Sequence, residues 1–418
     1  MKKINNVKYS ILIPTYNKAK YLKYTLKSLL DLNYSSFELI ISDDFSTDDT
    51  NKILSEINDS RVKIIKPPFK LTQTKNYEFI LSHAQGEWIT ILGDDDGVLP
   101  DFFDQLDKYT KKYPDIEAIQ TKPAIFYWEN VEDLYGDRVC DYQNFRIKPK
   151  IKNSKISLLL ALAGIANRID LPMIYTTGLI KKNLVDRIKK KSNNFFFHSV
   201  IPDYYSMICI LYETKKFLQI NEPIFWVGVS NLSTGRGVKI YPDDTKNQEI
   251  VSNDYKFINP HLKLHIGVSS LLHKIGIASV YFFECVLNHP YLEKKWKSKI
   301  IKYLVYASSN INFHELFYKT RFRIKIKITR KEFLNEINLE LKKNDLSKPI
   351  YLMFIYFLKI FNFYKKVIKF NTRMNNFIKK KISNSPIILV SHDRKKFPDF
   401  NICNNYIKKK LTKPIFIK

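Results

Sequence analysis

Strand-like apolar runs alternate with helix-like segments through the first hundred residues of the chain. A helical pattern spans residues 21–30, and further helices are predicted over residues 47–57, with Thr47 as the cap, and over residues 73–84. Strands separated by single helices in this way argue for a parallel sheet with crossover helices. The predicted fold class is therefore α/β. The runs predicted as strands are residues 10–14, 37–41, 62–65 and 88–92.

Polar segments follow three of these runs, and all three are expected at one edge of the sheet. Residues 14–17 follow the first strand, Asp43 and Asp44 follow the second, and the triple Asp of residues 94–96 follows the fourth. Ligands of open parallel sheets bind beyond the carboxyl ends of the strands. Three adjacent carboxylates repel each other unless a positive group lies among them, and Mg²⁺ or Mn²⁺ suits such oxygen ligands. A solvated acidic turn is the alternative interpretation.

The net charge is concentrated in the C-terminal part of the chain. Residues 1–240 hold 34 basic and 28 acidic side chains, a net charge of +6, whereas residues 241–418 hold 35 and 13, a net charge of +22. This asymmetry predicts an anionic surface as a partner. The length of 418 residues allows two domains, predicted as 1–240 and 241–418. Four cysteines without CxxC spacing, no apolar leader and no apolar run of spanning length predict a cytoplasmic location.

Four short motifs follow one another in the first hundred residues. They are Ile13-Pro14-Thr15-Tyr16-Asn17, Ser42-Asp43-Asp44-Phe45-Ser46-Thr47-Asp48, Ala84-Gln85-Gly86-Glu87-Trp88-Ile89 and Leu92-Gly93-Asp94-Asp95-Asp96. Their order and content resemble family 2 glycosyltransferases with the GT-A fold, and a weaker likeness continues to about residue 240. Phe45 stands where the family usually has Gly, and Gly93 where many members have the first Asp of Asp-x-Asp. The resemblance implies a Rossmann-like nucleotide-diphospho-sugar transferase domain, followed by a mainly α-helical basic C-terminal region.

The resemblance also implies a role for each carboxylate at the sheet edge. Asp95 takes the position of the metal ligand, with Asp96 assisting and Asp94 directed towards the ribose of a nucleotide sugar. Asp44 is similar to the residue that accepts a hydrogen bond from the base, and Asp43 supports it.

Three further residues resemble donor-binding positions of the family. Pro14 and Tyr16 would border the base, and Lys75 would face the diphosphate. Core packing is the alternative for Tyr16, and a solvated side chain is the alternative for Lys75. Because a diphosphate leaving group carries concentrated charge, its departure needs a Lewis acid, so the expected cofactor is Mn²⁺ or Mg²⁺.

An inverting transfer also needs a general base that takes the proton of the acceptor hydroxyl. Asp203 precedes an apolar helical segment and matches the position where the family places this base; a plain helix cap is the alternative. Residues 228–237 form a Gly/Ser-rich stretch that could close over the donor and carry Arg236 to the diphosphate. An interdomain linker is the alternative for that stretch.

A basic tail follows from about residue 255 and has a helical pattern. No acidic residue lies between Leu346 and His392, and four cations recur there every seven residues beside an apolar stripe. A helix with a cationic and an aromatic face is typical of membrane-surface binding. A core-packed helix with a solvated basic face and nucleic-acid binding are the alternatives. The four cations are Lys359, Lys366, Arg373 and Lys380.

Together these patterns predict an enzyme: a metal-dependent inverting glycosyltransferase of the hexosyltransferase type in bacterial surface polysaccharide synthesis, such as capsule or lipopolysaccharide. The expected donor is a UDP-sugar and the expected acceptor a glycan or a lipid-linked glycan. The predicted location is peripheral at the inner membrane, with no nucleic-acid partner and a homodimer left open. The alternatives are a catalytically silent GT-A scaffold and a basic nucleic-acid-binding protein.

Overall fold

The computed structural model describes most of the N-terminal half of the chain and a short segment near its end. The described residues are 7–144, 147–162, 166, 168–199, 202–232, 285, 289 and 387–411. Arg236 and the basic heptad pattern of residues 359–380 lie outside the described residues. Within the described part, no helix is long and apolar enough to cross a membrane.

Four parallel strands form the first half of the sheet. They are β1 (Tyr9–Thr15), β2 (Phe37–Asp43), β3 (Val62–Ile65) and β4 (Trp88–Ile91). β1 lies between β2 and β4, and β3 lies outside β2, so the order is β3-β2-β1-β4. The apolar runs of β1 and β2 are buried because helices cover both faces of the sheet. The predicted α/β class with a parallel sheet is confirmed for this part of the chain.

The crossover helices are α1 (Ala19–Leu30), α2 (Thr50–Ser55) and α3 (Gln73–Leu81). The prediction of Thr47 as the cap of α2 is wrong, because the helix begins three residues later. The side chain of Asn17 accepts hydrogen bonds from the backbone N–H and the hydroxyl of Thr47, at 2.7 and 3.3 Å, which ties Thr47 to the loop after β1. The side chain of Asp48, and not that of Thr47, accepts a hydrogen bond from the N–H of Thr50.

The second half of the sheet is mixed. β9 (Gly178–Lys181) runs antiparallel between β4 and β6 (Ala118–Tyr127). The long strand β10 (Lys216–Val229) runs parallel to β6 and antiparallel to β5 (Gly97–Val98) and β8 (Lys150–Asn153). This half contains β5 (Gly97–Val98), α4 (Phe102–Lys112), β6 (Ala118–Tyr127), α5 (Glu132–Tyr135), β7 (Cys140–Asn144), β8 (Lys150–Asn153), α6 (Ser154–Leu162), a 3-10 turn (Arg168–Asp170), β9 (Gly178–Lys181), α7 (Lys182–Lys191), α8 (Pro202–Glu213) and β10 (Lys216–Val229).

The segment near the end of the chain joins this sheet. β11 (Ile387–Ser391) pairs antiparallel with β7, and α9 (Phe400–Leu411) packs against α1. Asn404 is buried, donates a hydrogen bond to the carbonyl of Val98 at 2.9 Å and accepts one from the indole of Trp226 at 2.7 Å. Residues 387–411 therefore pack with the N-terminal part. The predicted division of the chain at residues 240 and 241 otherwise stays a prediction.

Candidate active site

The carboxyl ends of β1 and β4 bring Asp94 next to the first motif. The hydroxyl of Thr15, the last residue of β1, donates a hydrogen bond to Asp94 Oδ2 at 2.8 Å. The hydroxyl of Thr25 on α1 donates to the carbonyls of Asp94 and Asp96, at 3.0 and 2.6 Å. Burial raises the pKa of Asp94, and the Asp95 charge adds to this, whereas Lys18 opposes it. The strand end and α1 together hold the acidic run in a buried position.

Lys18 lies between two of the three carboxylates. Its Nζ is 3.6 Å from Asp94 Oδ1 and 3.6 Å from Asp95 Oδ2, and all three side chains are at most 13% exposed. Burial alone would lower the pKa of Lys18, but the charges of Asp94 and Asp95 outweigh burial and the pKa is raised. One ammonium group thus faces two carboxylate oxygens from adjacent residues, and these oxygens converge on a single positive charge.

Asp96 faces inward, away from this cation. Its Oδ2 accepts hydrogen bonds from the N–H of Gly93 at 2.9 Å and the hydroxyl of Thr176 at 2.6 Å, and its Oδ1 accepts one from the N–H of Gly228 at 2.7 Å. Burial and the neighbouring Asp95 charge raise the pKa of Asp96 to about 7. Both oxygens of Asp96 therefore hold the loop in shape, which does not suit the assisting metal role expected from the sequence.

The end of β10 packs directly onto Asp95. A Cβ atom at Gly228 would lie 1.7 Å from the Asp95 carbonyl oxygen, so only glycine allows this approach. The hydroxyl of Ser230 donates a hydrogen bond to Asp95 Oδ2, and the indole of Trp128 donates to the Asp95 carbonyl at 3.0 Å. The Gly/Ser-rich stretch thus begins at the acidic run. Its later residues, Arg236 among them, lie outside the described part of the chain.

Asp43 is the last residue of β2 and Asp44 follows it, on the side of β1 opposite to β4. Asp43 Oδ1 accepts a hydrogen bond from the N–H of Ser46 at 3.1 Å, and the buried Asp43 Oδ2 has no hydrogen-bond partner among the described residues. Asp44 Oδ1 accepts one from the N–H of Leu71 at 2.8 Å, and burial raises the pKa of Asp44. Phe45 has a φ of 60°, a left-handed conformation that suits the glycine expected at this position from the family resemblance.

The first motif borders the same region. Pro14 is half-buried and pairs in register with Ser42 of β2, next to Asp43. Tyr16 is 43% exposed, so it is not a core residue, and the ammonium of Lys70 lies 3.2 Å from the centre of its ring. Lys75 is half-buried in the first turn of α3, and its N–H bonds to the Thr72 hydroxyl that caps this helix.

Asp203 lies in the first turn of α8, one residue after the start of the helix at Pro202. The cap of this helix would be the residue before Pro202, so Asp203 does not occupy the position that the alternative interpretation as a helix cap required. The guanidinium of Arg168, in the 3-10 turn, forms an ion pair with Asp203 Oδ2 and lies 5.7 Å from the centre of the Tyr204 ring. Burial would lower the pKa of Arg168, but the charge of Asp203 raises it overall. The Asp203 side chain is 20% exposed.

Three residues at the site were missed by the sequence analysis. Lys18 comes directly after the first motif and directly before α1. This position, in the loop after a strand end that was expected to border the site, was the signal that could have identified it. Ser230 lies in the Gly/Ser-rich stretch that was expected to close over the donor, but its contact with Asp95 could not be predicted. Arg168 carried no local signal, because its proximity to Asp203 depends on the path of the chain between the 3-10 turn and α8. Among the described residues, no three or more His, Cys, Asp or Glu side chains form a group that could hold a metal ion.

Comparisons with known proteins place the N-terminal part of the chain in a known family. Residues 10–156 match the profile of glycosyl transferase family 2. This part of the chain is a family 2 glycosyltransferase domain. Its α/β sheet with the acidic run at the carboxyl end of β4 has the GT-A arrangement that the sequence predicted.

Two curated relatives and one solved structure show how far the likeness extends. The GalNAc(5)-diNAcBac-PP-undecaprenol beta-1,3-glucosyltransferase of Campylobacter jejuni is 34% identical over 95 residues, 22% of this chain and 31% of the relative. The UDP-Glc:alpha-D-GlcNAc-diphosphoundecaprenol beta-1,3-glucosyltransferase WfaP of Escherichia coli is 38% identical over 87 residues, which are 21% of this chain and 35% of the relative. The chain thus spans about a third of the length of each. S. aureus TarS 1-349 in complex with UDP-GlcNAc aligns at 16% identity and a TM-score of 0.44, covering 72% of this chain and 87% of that one.

Proposed function

We propose that this chain is an inverting glycosyltransferase that moves a sugar from a UDP-sugar to a glycan or lipid-linked acceptor in bacterial surface polysaccharide synthesis. The observation that carries the proposal is the family 2 match over residues 10–156, the segment in which Asp94 and Asp95 converge on one cation. Two relatives support the substrate classes, since both are named for undecaprenol-linked acceptors and one for UDP-Glc.

The donor would lie along the carboxyl edge of β1, β2 and β4. Asp44 would accept a hydrogen bond from the base, and the buried Oδ2 of Asp43, which has no hydrogen-bond partner in the described part of the chain, is a second acceptor there. Tyr16 and Pro14 would border the base, with Lys70 leaving the Tyr16 ring when the base arrives. Lys75 and Arg236 stay proposed contacts of the diphosphate.

We assign Asp94, for which the resemblance implied a ribose contact, to a divalent cation together with Asp95, because the oxygens of both carboxylates already converge on the charge of Lys18. Two protein carboxylates together with substrate phosphates and waters are a usual ligand set for Mg²⁺. When bound, Mn²⁺ or Mg²⁺ would neutralise charge on the leaving diphosphate. We assign Asp96 a positioning role instead of metal binding, since its oxygens accept three hydrogen bonds from the protein.

Asp203 would act as the general base on the acceptor side. It would take the proton of the acceptor hydroxyl while that oxygen bonds to the anomeric carbon and the bond to the diphosphate breaks. Attack from the face opposite the leaving group inverts the configuration of the sugar. Arg168 would orient the carboxylate through its ion pair with Oδ2.

We further propose that the protein works at the cytoplasmic face of the inner membrane as a peripheral protein. A lipid-linked acceptor would be presented there, and the excess of basic residues in 241–418 would favour an anionic surface. The two-domain division at residue 240 belongs to this proposal, as does the expectation that nucleic acid is not a partner. A homodimer is left open.

A thermal-shift screen of UDP-, GDP-, CMP- and dTDP-sugars, each with and without Mn²⁺, tests the proposal. A ligand that binds only the folded state stabilises it by mass action, by about 2.7 kcal/mol at a hundred times its Kd. We expect a shift with a UDP-sugar that depends on Mn²⁺ and disappears in Asp95→Ala. Asp186→Ala is the matched control, because Asp186 is an exposed carboxylate on α7.

Two outcomes would contradict the proposal. Folded protein that shifts with none of the donors would favour a catalytically silent scaffold. A donor shift that survives in Asp95→Ala would place donor binding away from the acidic run.

A further inference from the structure

The edge of the sheet beside β10 carries an unusual set of residues. β8 pairs only with β10 among the described strands, and no acidic residue occurs in the sequence between Asp141 and Asp170. We call the group of basic and apolar side chains here the β8 edge. It consists of Lys148, Lys150, Ile151, Lys152, Lys155 and Ile156, with Lys215 and Lys216 on the adjoining start of β10.

The lysines of the β8 edge have no acidic partners in the described part of the chain, unlike the cations of the nearby helix α7. In and next to α7, each of four cations pairs with a glutamate; the pairs are Lys181–Glu87, Arg187–Glu117, Lys189–Glu78 and Lys191–Glu213. At the β8 edge, Lys150, Lys155 and Lys216 are exposed and make no ion pair with a described residue. The positive charge of this edge is therefore directed to solvent.

Two large exposed apolar side chains occur next to these lysines in the sequence. Ile151 is 51% exposed and Ile156 is 57% exposed, whereas the apolar residues that follow on α6, such as Leu158, are buried. Lysines beside exposed aliphatic side chains suit the boundary of a lipid bilayer, where the cations meet headgroups and the aliphatic groups meet acyl chains. A nucleic acid offers phosphates for the lysines but no apolar partner for the isoleucines.

The β8 edge adjoins the acceptor side of the site. Lys150 pairs in register with Gln219 of β10, and opposite residues of an antiparallel pair share a face of the sheet. The side chain of Gln219 donates a hydrogen bond to Asp170 at 2.7 Å, in the same 3-10 turn as Arg168, which holds Asp203. A surface bound at this edge would therefore lie next to the turn that holds Asp203.

We propose that the β8 edge docks on the anionic headgroups of a lipid bilayer, with Ile151 and Ile156 entering the headgroup layer. This is a membrane contact of the glycosyltransferase domain itself, separate from the basic tail. Its link to a lipid-linked acceptor rests on the proposed function. The competing explanation is that lysines on an edge strand prevent pairing with another sheet, which requires no lipid.

A fluorescent label on the full-length protein distinguishes these explanations. The four native cysteines are buried, so an environment-sensitive dye can be attached selectively to Ile156→Cys. We expect a blue shift with vesicles that contain phosphatidylglycerol and none with pure phosphatidylcholine. The matched control is Lys111→Cys, an exposed position on α4, which should not shift. If the protein sediments with the vesicles but the dye at residue 156 does not shift, the tail alone binds and the proposal is wrong.

Charge variants give a second, independent readout. Each lysine near an anionic surface contributes about 1 kcal/mol, so the double variant Lys150→Gln/Lys152→Gln should lower the vesicle partition coefficient roughly 30-fold. The control Lys111→Gln/Lys112→Gln removes the same charge from α4 and should change partitioning less than about threefold. Equal effects of the two pairs, or a dye response to a polynucleotide instead of vesicles, would overturn the proposal. Donor binding by thermal shift should be unchanged in the β8 variants, so failure here is distinguishable from failure of the proposed function.

Discussion

Two groups of charges face the candidate active site, and they are built differently. The donor cluster comprises Asp94, Asp95 and Asp96 with Lys18: three buried carboxylates, two of which face one ammonium. The acceptor-side pair comprises Asp203 and Arg168, one carboxylate and one guanidinium that are 20% and 38% exposed. The first is held by hydrogen bonds from several strands and helices, whereas the second connects a 3-10 turn to the start of one helix.

The difference indicates what each group can accept. One cation leaves the donor cluster with an excess of negative charge, which favours binding of a divalent cation. The acceptor-side pair is balanced and needs no further ion, so its carboxylate can serve in proton transfer. A third group of charges serves as a reference for these two. It is the ion pair of Asp59 and Arg61, one negative and one positive charge in the loop before β3, away from both groups.

The largest effect is expected on the acceptor side. Asp203→Asn should lower turnover about 10²- to 10⁴-fold, the range that general-base catalysis contributes, and should leave the donor-induced thermal shift unchanged. Once the donor is known, turnover can be measured by release of the nucleoside diphosphate. Asp59→Asn is the matched control, since it removes the same group from an Arg–Asp pair outside the site. A variant at Asp203 that retains normal turnover would exclude it as the base.

The sequence predicted the donor cluster better than the acceptor-side pair. β1, β2 and β4 are apolar runs that end in polar motifs, and the parallel arrangement places those ends together without knowledge of any later residue. Arg168 could not be paired with Asp203 in this way, because the 3-10 turn and α8 are brought together by β9 and by α6 packing on α8. The pairing of β11 with β7 could not be predicted from the sequence either, since the two strands lie more than two hundred residues apart in the chain.

A segment near the end of the chain packs against the residues that follow the donor cluster, and this gives the second prediction. Asn404→Leu would leave the carbonyl of Val98 and the indole N–H of Trp226 buried without partners. Each such group costs about 1–3 kcal/mol, so the two together should lower stability by about 2–6 kcal/mol in urea unfolding. Asn405→Leu, the exposed neighbour on α9, should change stability by less than about 0.5 kcal/mol.

The same variant separates the two groups of the site. Val98 lies two residues beyond Asp96, and Phe400 of α9 contacts Gly97. Asn404→Leu should therefore weaken Mn²⁺-dependent donor binding at a temperature where the protein is still folded. A destabilised variant with unchanged donor affinity would show that α9 supports the fold without supporting the donor cluster.

The third prediction concerns the cation of the donor cluster. Lys18→Gln removes the ammonium that lies 3.6 Å from both Asp94 and Asp95. Because a positive charge at this distance opposes a second cation, Mn²⁺ affinity measured by calorimetry should rise about tenfold. The metal-free variant should also be less stable, as two buried carboxylates lose their partner. Lys20→Gln, an exposed residue of α1, is the control. Unchanged or weaker Mn²⁺ binding in Lys18→Gln would mean that the metal does not occupy this position.

The smallest effect is expected at the reference pair, and it depends on pH. Arg61 donates hydrogen bonds to both oxygens of Asp59, at 3.0 and 2.6 Å, and these bonds lower the pKa of Asp59. A lowered native pKa stabilises the fold above the unfolded pKa of about 3.9, and the stabilisation is lost as the pH falls through the native value. Asp59→Asn should thus cost about 1 kcal/mol in urea unfolding at pH 7, with the same deficit at pH 5 and a smaller one below about pH 4.

Turnover and Mn²⁺ affinity of Asp59→Asn should match the unmodified protein at pH 7, because Arg61 also donates to the carbonyls of Leu30, Leu32 and Tyr34 at the end of α1 and keeps its place without Asp59. Asp203→Asn should lose turnover, and its stability should fall by a similar amount of about 1 kcal/mol, since its side chain is as exposed as that of Asp59 and also pairs with an arginine. If both variants lost stability and neither lost turnover, the two Arg–Asp pairs would be equivalent structural contacts and the acceptor-side pair would have no part in proton transfer.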